Sequence, residues 1–262
     1  MIQQAFADRA ASVLSKKEGI VGLCAGGSWI SGEIDEYSDL DLIVVTRESI
    51  SANKQLMVDC AASLGNLLSG FTGEHVGEPR LLICLYKDPL LHVDLKFLTL
   101  DELRFRIEDP AILLDPSGEI QETINRHPPK SSLPDFQWIE DRFWIWIHYA
   151  ALKIGRGEYL EALDFLGYLR MTVLGPLLQH SVNQQPRGVR KVEMILDGEH
   201  LDNLTSTIPA YNKGSILQAL KNAISLYHRL RAKLYPAVIQ LQNETEAQVI
   251  AYLEYLDKRG ST

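Results

Sequence analysis

No run of about 18 apolar residues occurs in this chain, so no segment is long enough to cross a bilayer as a helix. The stretch from Met1 to Lys17 mixes charges along an amphipathic pattern and lacks the basic-then-apolar order of a signal peptide. Cysteine is scarce. Cys24, Cys60 and Cys84 are scattered, each inside an apolar segment, without zinc-ligand spacing, and read as buried reduced thiols. Basic residues are in the minority, 26 Lys and Arg against 34 Asp and Glu, and the net charge of −8 is not the footprint of a general nucleic-acid binder. Internal repeats and low-complexity tracts are absent too. The expectation from these absences is a cytoplasmic protein with no membrane and no nucleic-acid partner.

What is present is ordinary globular composition: 262 residues, 46% hydrophobic and 23% charged, enough for one large or two modest domains. Residues 3–15 have helical periodicity through Phe6, Ala10, Val13 and Leu14. Ile20–Cys24 and Leu40–Thr46 read as strands, the second apolar enough to be buried on both faces, and Ser28–Gly32 as a short helix between them. Ser51–Leu68 is spaced as a helix, and the Gly-rich, polar segment Ser69–Pro79 as a loop. Leu81–Tyr86 and Leu91–Phe97 follow as strands joined at Lys87-Asp88-Pro89. Thr99 and Glu102 have capping-box spacing and should start a helix reaching Arg106. A short strand, Ala111–Leu114, a turn at Asp115–Gly118 and a helix, Glu119–Arg126, end this half.

The segment His127–Asp135 holds three prolines and two serines in nine residues and is the clearest linker. It separates a mixed strand–helix domain, residues 1–127, from residues 136–262, with 128–135 between them. Nothing in the second half reads as a strand. Helices are expected over Phe136–Ile154, Glu158–Leu178, Val189–Asp197, Lys213–Leu234 and Thr245–Lys258, packed as an antiparallel bundle. The fold class is therefore α+β, a mixed domain followed by an all-α bundle.

Chemistry concentrates in the stretch from Gly26 to Val45. Asp39 and Asp41 are two positions apart at the start of a strand, so both project from one face. Two parallel carboxylates repel unless a cation lies between them, and hard, oxygen-seeking Mg²⁺ suits them, above all where phosphates complete its ligands. Gly26 and Gly27 let backbone N–H groups approach a phosphate, and Ser28 adds a hydroxyl. A hairpin whose aspartates merely cap a strand is the plain alternative. A third acid follows in His92-Val93-Asp94-Leu95-Lys96-Phe97, where alternation sets His92, Asp94 and Lys96 on one face. A carboxylate on such a strand is either outward-facing and paired with Lys96 or an arginine, or a metal ligand.

Gly27-Ser28, ten intervening residues, then Asp39-Leu40-Asp41, with Ser38 before and an apolar run after, resembles the nucleotidyltransferase superfamily related to DNA polymerase beta. The bundle, and the stretch Phe143–Ala162 within it, is similar to aminoglycoside and lincosamide nucleotidyltransferases. The resemblance covers most of the chain and implies an N-terminal mixed sheet with flanking helices. It also implies transfer of a nucleoside monophosphate, AMP from ATP, to a hydroxyl of a small molecule such as an aminoglycoside-like antibiotic, with release of pyrophosphate. In that family pattern Asp39 and Asp41 bind two Mg²⁺ ions and Asp94 holds the catalytic one. Gly26, Gly27 and Ser28 grip the phosphates. Asp94, or a carboxylate from the bundle, accepts the hydroxyl proton.

Readings of the second half stay open. Lys153 and Arg156 either neutralise the triphosphate or complement the C-terminal end of their helix. Glu140 and Asp141 are candidates for amine recognition or the base, set against ordinary solvated charges. Trp138, Trp144 and Trp146 either stack on a ligand or fill the core. Arg187, Arg190 and Lys191 form a basic cluster without an assigned role, and an exposed aromatic face would allow a homodimer. Two other functions share the motif: a nucleotidyltransferase that AMPylates a partner protein, and a non-catalytic nucleotide-binding protein.

Overall fold

A computed structural model describes residues 1–130 and 133–258. The chain divides into two compact units, Met1–Ser131 and Ser132–Thr262. The first unit is α+β. Its six strands are β1 (Ile20–Ala25), β2 (Leu40–Thr46), β3 (Leu67–Gly73), β4 (Glu78–Tyr86), β5 (Leu91–Thr99) and β6 (Ala111–Leu114). They form one mixed sheet in the order β3-β4-β5-β2-β1-β6. Only β2 and β5 run parallel, paired without a shift from Leu40 opposite Val93 to Thr46 opposite Thr99.

One face of the sheet is covered by α1 (Ile2–Leu14) and α3 (Lys54–Leu64). Phe6, Ala10 and Leu14 of α1 and Met57, Cys60 and Leu64 of α3 pack there on Leu40, Leu42, Val44, Val93, Leu95 and Phe97. Burying each of these larger side chains contributes about 1.5–3 kcal/mol. Strand alternation then sends Asp41, Asp94 and Lys96 to the opposite face. That face carries a smaller cluster, Val21, Cys24, Val45 and Leu98 under Leu103 and Ile120. Leu103 belongs to α4 (Leu100–Leu103) and Ile120 to α5 (Glu119–Arg126). The Thr99–Glu102 capping box is formed, but the helix it starts ends at Leu103 rather than Arg106.

Two expectations for this unit fail together. The helix expected to reach Leu68 stops at Leu64, and the expected loop Ser69–Pro79 holds strand β3, a short 3₁₀ turn over Glu74–Val76 and the start of β4. β3 is an edge strand with Leu68, Ser69 and Phe71 all exposed, so it has none of the in–out alternation that marks a strand. The three cysteines are free and buried. Burial pushes the Cys24 and Cys84 thiols up to about 12.

The expected linker is tied at both of its described ends. Lys130 N donates to Arg106 O, and the Asp135 side chain caps α6 (Phe136–Arg156) by accepting from Trp138 N. Ser131 and Ser132 of that linker, and residues 259–262 of the bundle, lie outside the described residues.

The second unit is all helical. α6 is followed by α7 (Tyr159–Leu169), a π turn over Arg170–Leu174, α8 (Gly175–Ser181), α9 (Val192–Ile195), α10 (Gly198–Thr205), α11 (Lys213–Leu234) and α12 (Asn243–Lys258). The helix expected over Glu158–Leu178 is thus interrupted by the π turn. Val189–Asp197 contains only the four residues of α9, while α10 was not anticipated. The Asp197 side chain caps it, accepting from His200 N. The core centres on α6 and α11, where Phe143 stacks on Tyr227 with ring centroids 3.6 Å apart. No helix among the described residues is long and apolar enough to cross a membrane.

Candidate active site

The three strands in the middle of the first sheet, β5-β2-β1, bring the Gly-Gly-Ser turn and the aspartates to the same end. β1 is antiparallel to β2, so its C-terminal end meets the N-terminal end of β2: Ala25 faces Leu42, and Gly26 N donates to Asp41 O at 2.9 Å. The next residue, Gly27, has φ +57°. A Cβ there would lie 2.1 Å from Oδ2 of Asp41, so the Asp41 carboxylate occupies the space that glycine leaves. Ser28 opens α2 (Ser28–Ser31), and the turn closes at Gly32 with φ +70°.

Asp41 and Asp94 are directly opposite in the parallel β2–β5 register. Neighbouring strands lie about 4.8 Å apart, and like charges facing each other at that spacing disfavour the sheet. Asp39 precedes β2 by one residue and is half-buried, as are Asp41 and Asp94. Among the described residues no three His, Cys, Asp or Glu side chains are gathered as closely as a preformed metal centre requires. The fit of a divalent cation therefore rests on backbone placement, with two opposed carboxylates, a third two residues before one of them, and a glycine cradle alongside. The three carboxylates are oxygen donors, the ligand type that Mg²⁺ takes.

The neighbours of Asp94 bear on the outward ion-pair reading of that residue. Lys96 does not pair with it. Its Nζ lies 2.7 Å from Glu78 Oε2, and Glu78 also binds Arg80 Nε at 2.7 Å. Hydrogen bonding from Arg80, and then from Lys96, holds the Glu78 carboxyl down at about 2. Asp94 instead contacts His92, with Nε2 and Oδ1 3.0 Å apart. The outward aspartate–lysine pair is therefore not formed.

One contributor escaped the sequence reading. Gln3 of α1, only 1% exposed, donates from Nε2 to both Asp35 O and Ser38 O at 2.9 Å. Asp35 Oδ1 in turn accepts from Tyr37 N and Ser38 Oγ. Gln3 thereby fixes the loop that delivers Asp39. A buried amide in the first turn of an amphipathic helix was the only available sign of it.

Residues named from the second half are engaged within their own unit. Lys153 Nζ lies 2.7 Å from Glu158 and 3.4 Å from Glu161, and Arg156 Nε lies 2.7 Å from the same Glu158. Glu140 is not a solvated charge. It is fully buried, accepting from Tyr227 OH, from Arg231 Nη1 at 3.1 Å and from Gln242 N at 3.0 Å. Its burial corrects that expectation, whereas Asp141 is exposed and accepts from Gln137 Nε2. Trp144 belongs to the core, while Trp138 meets Trp146 edge-on beneath Arg142. Arg187 and Arg190 lie in a loop latched by the buried Gln179, which accepts from Arg187 N and donates to Arg190 O. Lys191 sits at φ +57° ahead of α9.

No protein-family model and no curated protein matches this chain. Among solved structures, an aminoglycoside 6-adenyltransferase from Bacillus subtilis is similar over 97% of this chain and 98% of its own, at 14% identity and a TM-score of 0.42. A nucleotidyltransferase-like protein from Exiguobacterium sibiricum is similar over 87% of this chain and 75% of its own, at 13% identity and a TM-score of 0.42. A spectinomycin adenyltransferase from Enterococcus faecialis, solved with ATP and spectinomycin, is similar over 99% of each chain, at 14% identity and a TM-score of 0.32. These are distant likenesses.

Proposed function

We propose that the first unit catalyses Mg²⁺-dependent transfer of a nucleoside monophosphate, AMP from ATP, to a hydroxyl of a small molecule. The aminoglycoside-like antibiotics are one candidate class of acceptor. The acceptor oxygen attacks the α-phosphorus and a new P–O bond forms. The bond from that phosphorus to the bridging β-oxygen breaks, and pyrophosphate leaves. The observation that carries this reading is the approach of Asp41 to Gly27 beside its register partner Asp94. A carboxylate packed against a glycine turn, with a second carboxylate facing it, supports a reading in which metal-bound phosphates are held there.

When bound, Mg²⁺ would supply charge neutralisation for the triphosphate and for the attacking and leaving oxygens. Asp39, Asp41 and Asp94 would hold two such ions, while Gly26, Gly27 and Ser28 would grip the β- and γ-phosphates through N–H and hydroxyl donors. Asp94 would accept the hydroxyl proton, with His92 steadying its Oδ1. Lys153 and Arg156 would have to leave Glu158 to reach a triphosphate, and their present partners suit a role in closing the corner between α6 and α7.

The test is an acceptor screen. The full chain is incubated with Mg²⁺ and each labelled NTP against aminoglycosides, lincosamides and a metabolite extract, with products read by mass spectrometry. A product heavier than its acceptor by one nucleoside monophosphate is expected. Unchanged acceptors, together with no thermal shift by any Mg²⁺–NTP, would overturn the reading.

A further inference from the structure

A cavity of about 450 Å³ opens beside Asp39, lined among others by Tyr37, Leu85, Leu90 and His92. This volume lies within the range of small-molecule sites. Two of these residues belong to the constellation already described. Asp39 is a candidate metal ligand, and His92 touches Asp94. Leu85 lies directly opposite His92 in the β4–β5 register, so the apolar wall continues from the row that holds the site. The rim mixes polar groups with an apolar flank, in which Tyr37 is 87% and Leu90 67% exposed. Its charges include the carboxylates of Glu36 and Asp39.

The sheet order gives the cavity a place in the reaction. Along β4-β5-β2-β1 the Gly26–Ser28 turn lies on the β1 flank of the aspartates, and the cavity lies on the β5–β4 flank. An in-line displacement needs attacking and leaving oxygens on opposite sides of the transferred phosphorus. With the pyrophosphate on the glycine turn, the attacking hydroxyl arrives from the side of Asp94 and the cavity.

Resting on the nucleotidyl-transfer reading, we propose that this cavity seats the acceptor, and that the acceptor is an amphipathic alcohol. Its hydroxyl points toward Asp94, an apolar flank packs on Tyr37, Leu85 and Leu90, and it carries no negative charge beside Glu36 and Asp39. The hydroxyl oxygen bonds to the α-phosphorus, pyrophosphate departs with the bridging oxygen, and the hydroxyl proton passes to Asp94 and on to water.

The experiment measures acceptor-dependent pyrophosphate release from Mg²⁺–ATP by the full chain with three probes sharing one sugar ring: methyl β-glucoside, phenyl β-glucoside and phenyl β-glucuronide. The phenyl glucoside is expected to have a KM about tenfold below that of the methyl glucoside, and the anionic glucuronide to be the poorest. Leu90→Glu brings the methyl-to-phenyl KM ratio close to one. Val76→Glu, at an exposed apolar residue outside the cavity lining, leaves that ratio as in the wild type. A wild-type ratio near one, a preferred glucuronide, or a ratio untouched by Leu90→Glu overturns the acceptor assignment while leaving nucleotidyl transfer standing. Absence of pyrophosphate release with every probe overturns the acceptor assignment, and with absence of a Mg²⁺–ATP thermal shift as well it overturns both.

Discussion

The position that a Cβ would take on Gly27 lies 2.1 Å from Oδ2 of Asp41. Gly27→Ala therefore does two things at once: it strains a residue at φ +57° and drives the carboxylate out of its place. The strain costs about 1–2 kcal/mol of stability, and on the proposed mechanism displacing this oxygen by about 1 Å should lower pyrophosphate release about a hundredfold. Gly19 separates the effects. It sits at φ +80° with nothing within 4 Å of its Cβ position, so Gly19→Ala should cost similar stability and keep activity. Urea unfolding and a pyrophosphate assay on both variants check this.

Asp41 and Asp94 face each other with like charge, and a divalent cation relieves that repulsion. Mg²⁺ should raise the Tm of the wild type, because it binds the native arrangement and not the unfolded chain. Asp94→Asn should shrink the shift and chelation should reverse it. A shift of equal size in Asp94→Asn would place the ion elsewhere.

Glu78 predicts the acid limb of stability. Its carboxyl stands at about 2 in the fold, held by Arg80 and then Lys96, against about 4.3 in an unfolded chain. A depressed carboxyl adds stability that is complete above the unfolded value and disappears as pH falls through the folded one. Between about pH 4.5 and about pH 2, the Tm of the wild type should therefore fall more steeply than that of Glu78→Gln. Parallel curves would mean that the Arg80–Glu78–Lys96 contacts do not hold in solution.

Glu140 and Asp141 are sequence neighbours with opposite fates. Glu140→Ala removes a buried carboxylate, leaving Arg231 with Glu246, Tyr227 with Tyr235 and Gln242 N without its acceptor, which should cost about 1–3 kcal/mol in urea unfolding. Asp141→Ala, at an exposed site, should stay within about 0.5 kcal/mol. Equal losses would contradict the buried network.

Where the sequence was readable, local chemistry did the work. Asp41 and Asp94 could be placed on strands, and Asp39 just before one, because apolar neighbours at Leu40, Leu42, Val93 and Leu95 repeat with period two. The turn at Gly26–Ser28 was visible from glycine itself. β3 was hidden because an edge strand with Leu68, Ser69 and Phe71 exposed has no buried face to impose a pattern. Glu140 was misread because what buries it comes from Tyr227 and Arg231, 87 and 91 residues away. The cavity beside Asp39 and His92 was invisible for the same reason, since α1, the loop before β2 and the β4–β5 hairpin meet only in the fold. Gln3 is the sharpest case. Its role depends on two carbonyls, those of Asp35 and Ser38, more than thirty residues downstream.

The proposed role of Asp39, Asp41 and Asp94 in Mg²⁺-dependent nucleotidyl transfer is tested by pyrophosphate release from Mg²⁺–ATP. Wild type, Asp39→Asn and Asp41→Asn are compared with an acceptor identified by the screen, and folding is checked by Tm. The account predicts release by the wild type that stops on chelation and falls at least about a hundredfold in either variant while the fold persists. Folded variants that turn over as fast as the wild type would contradict it.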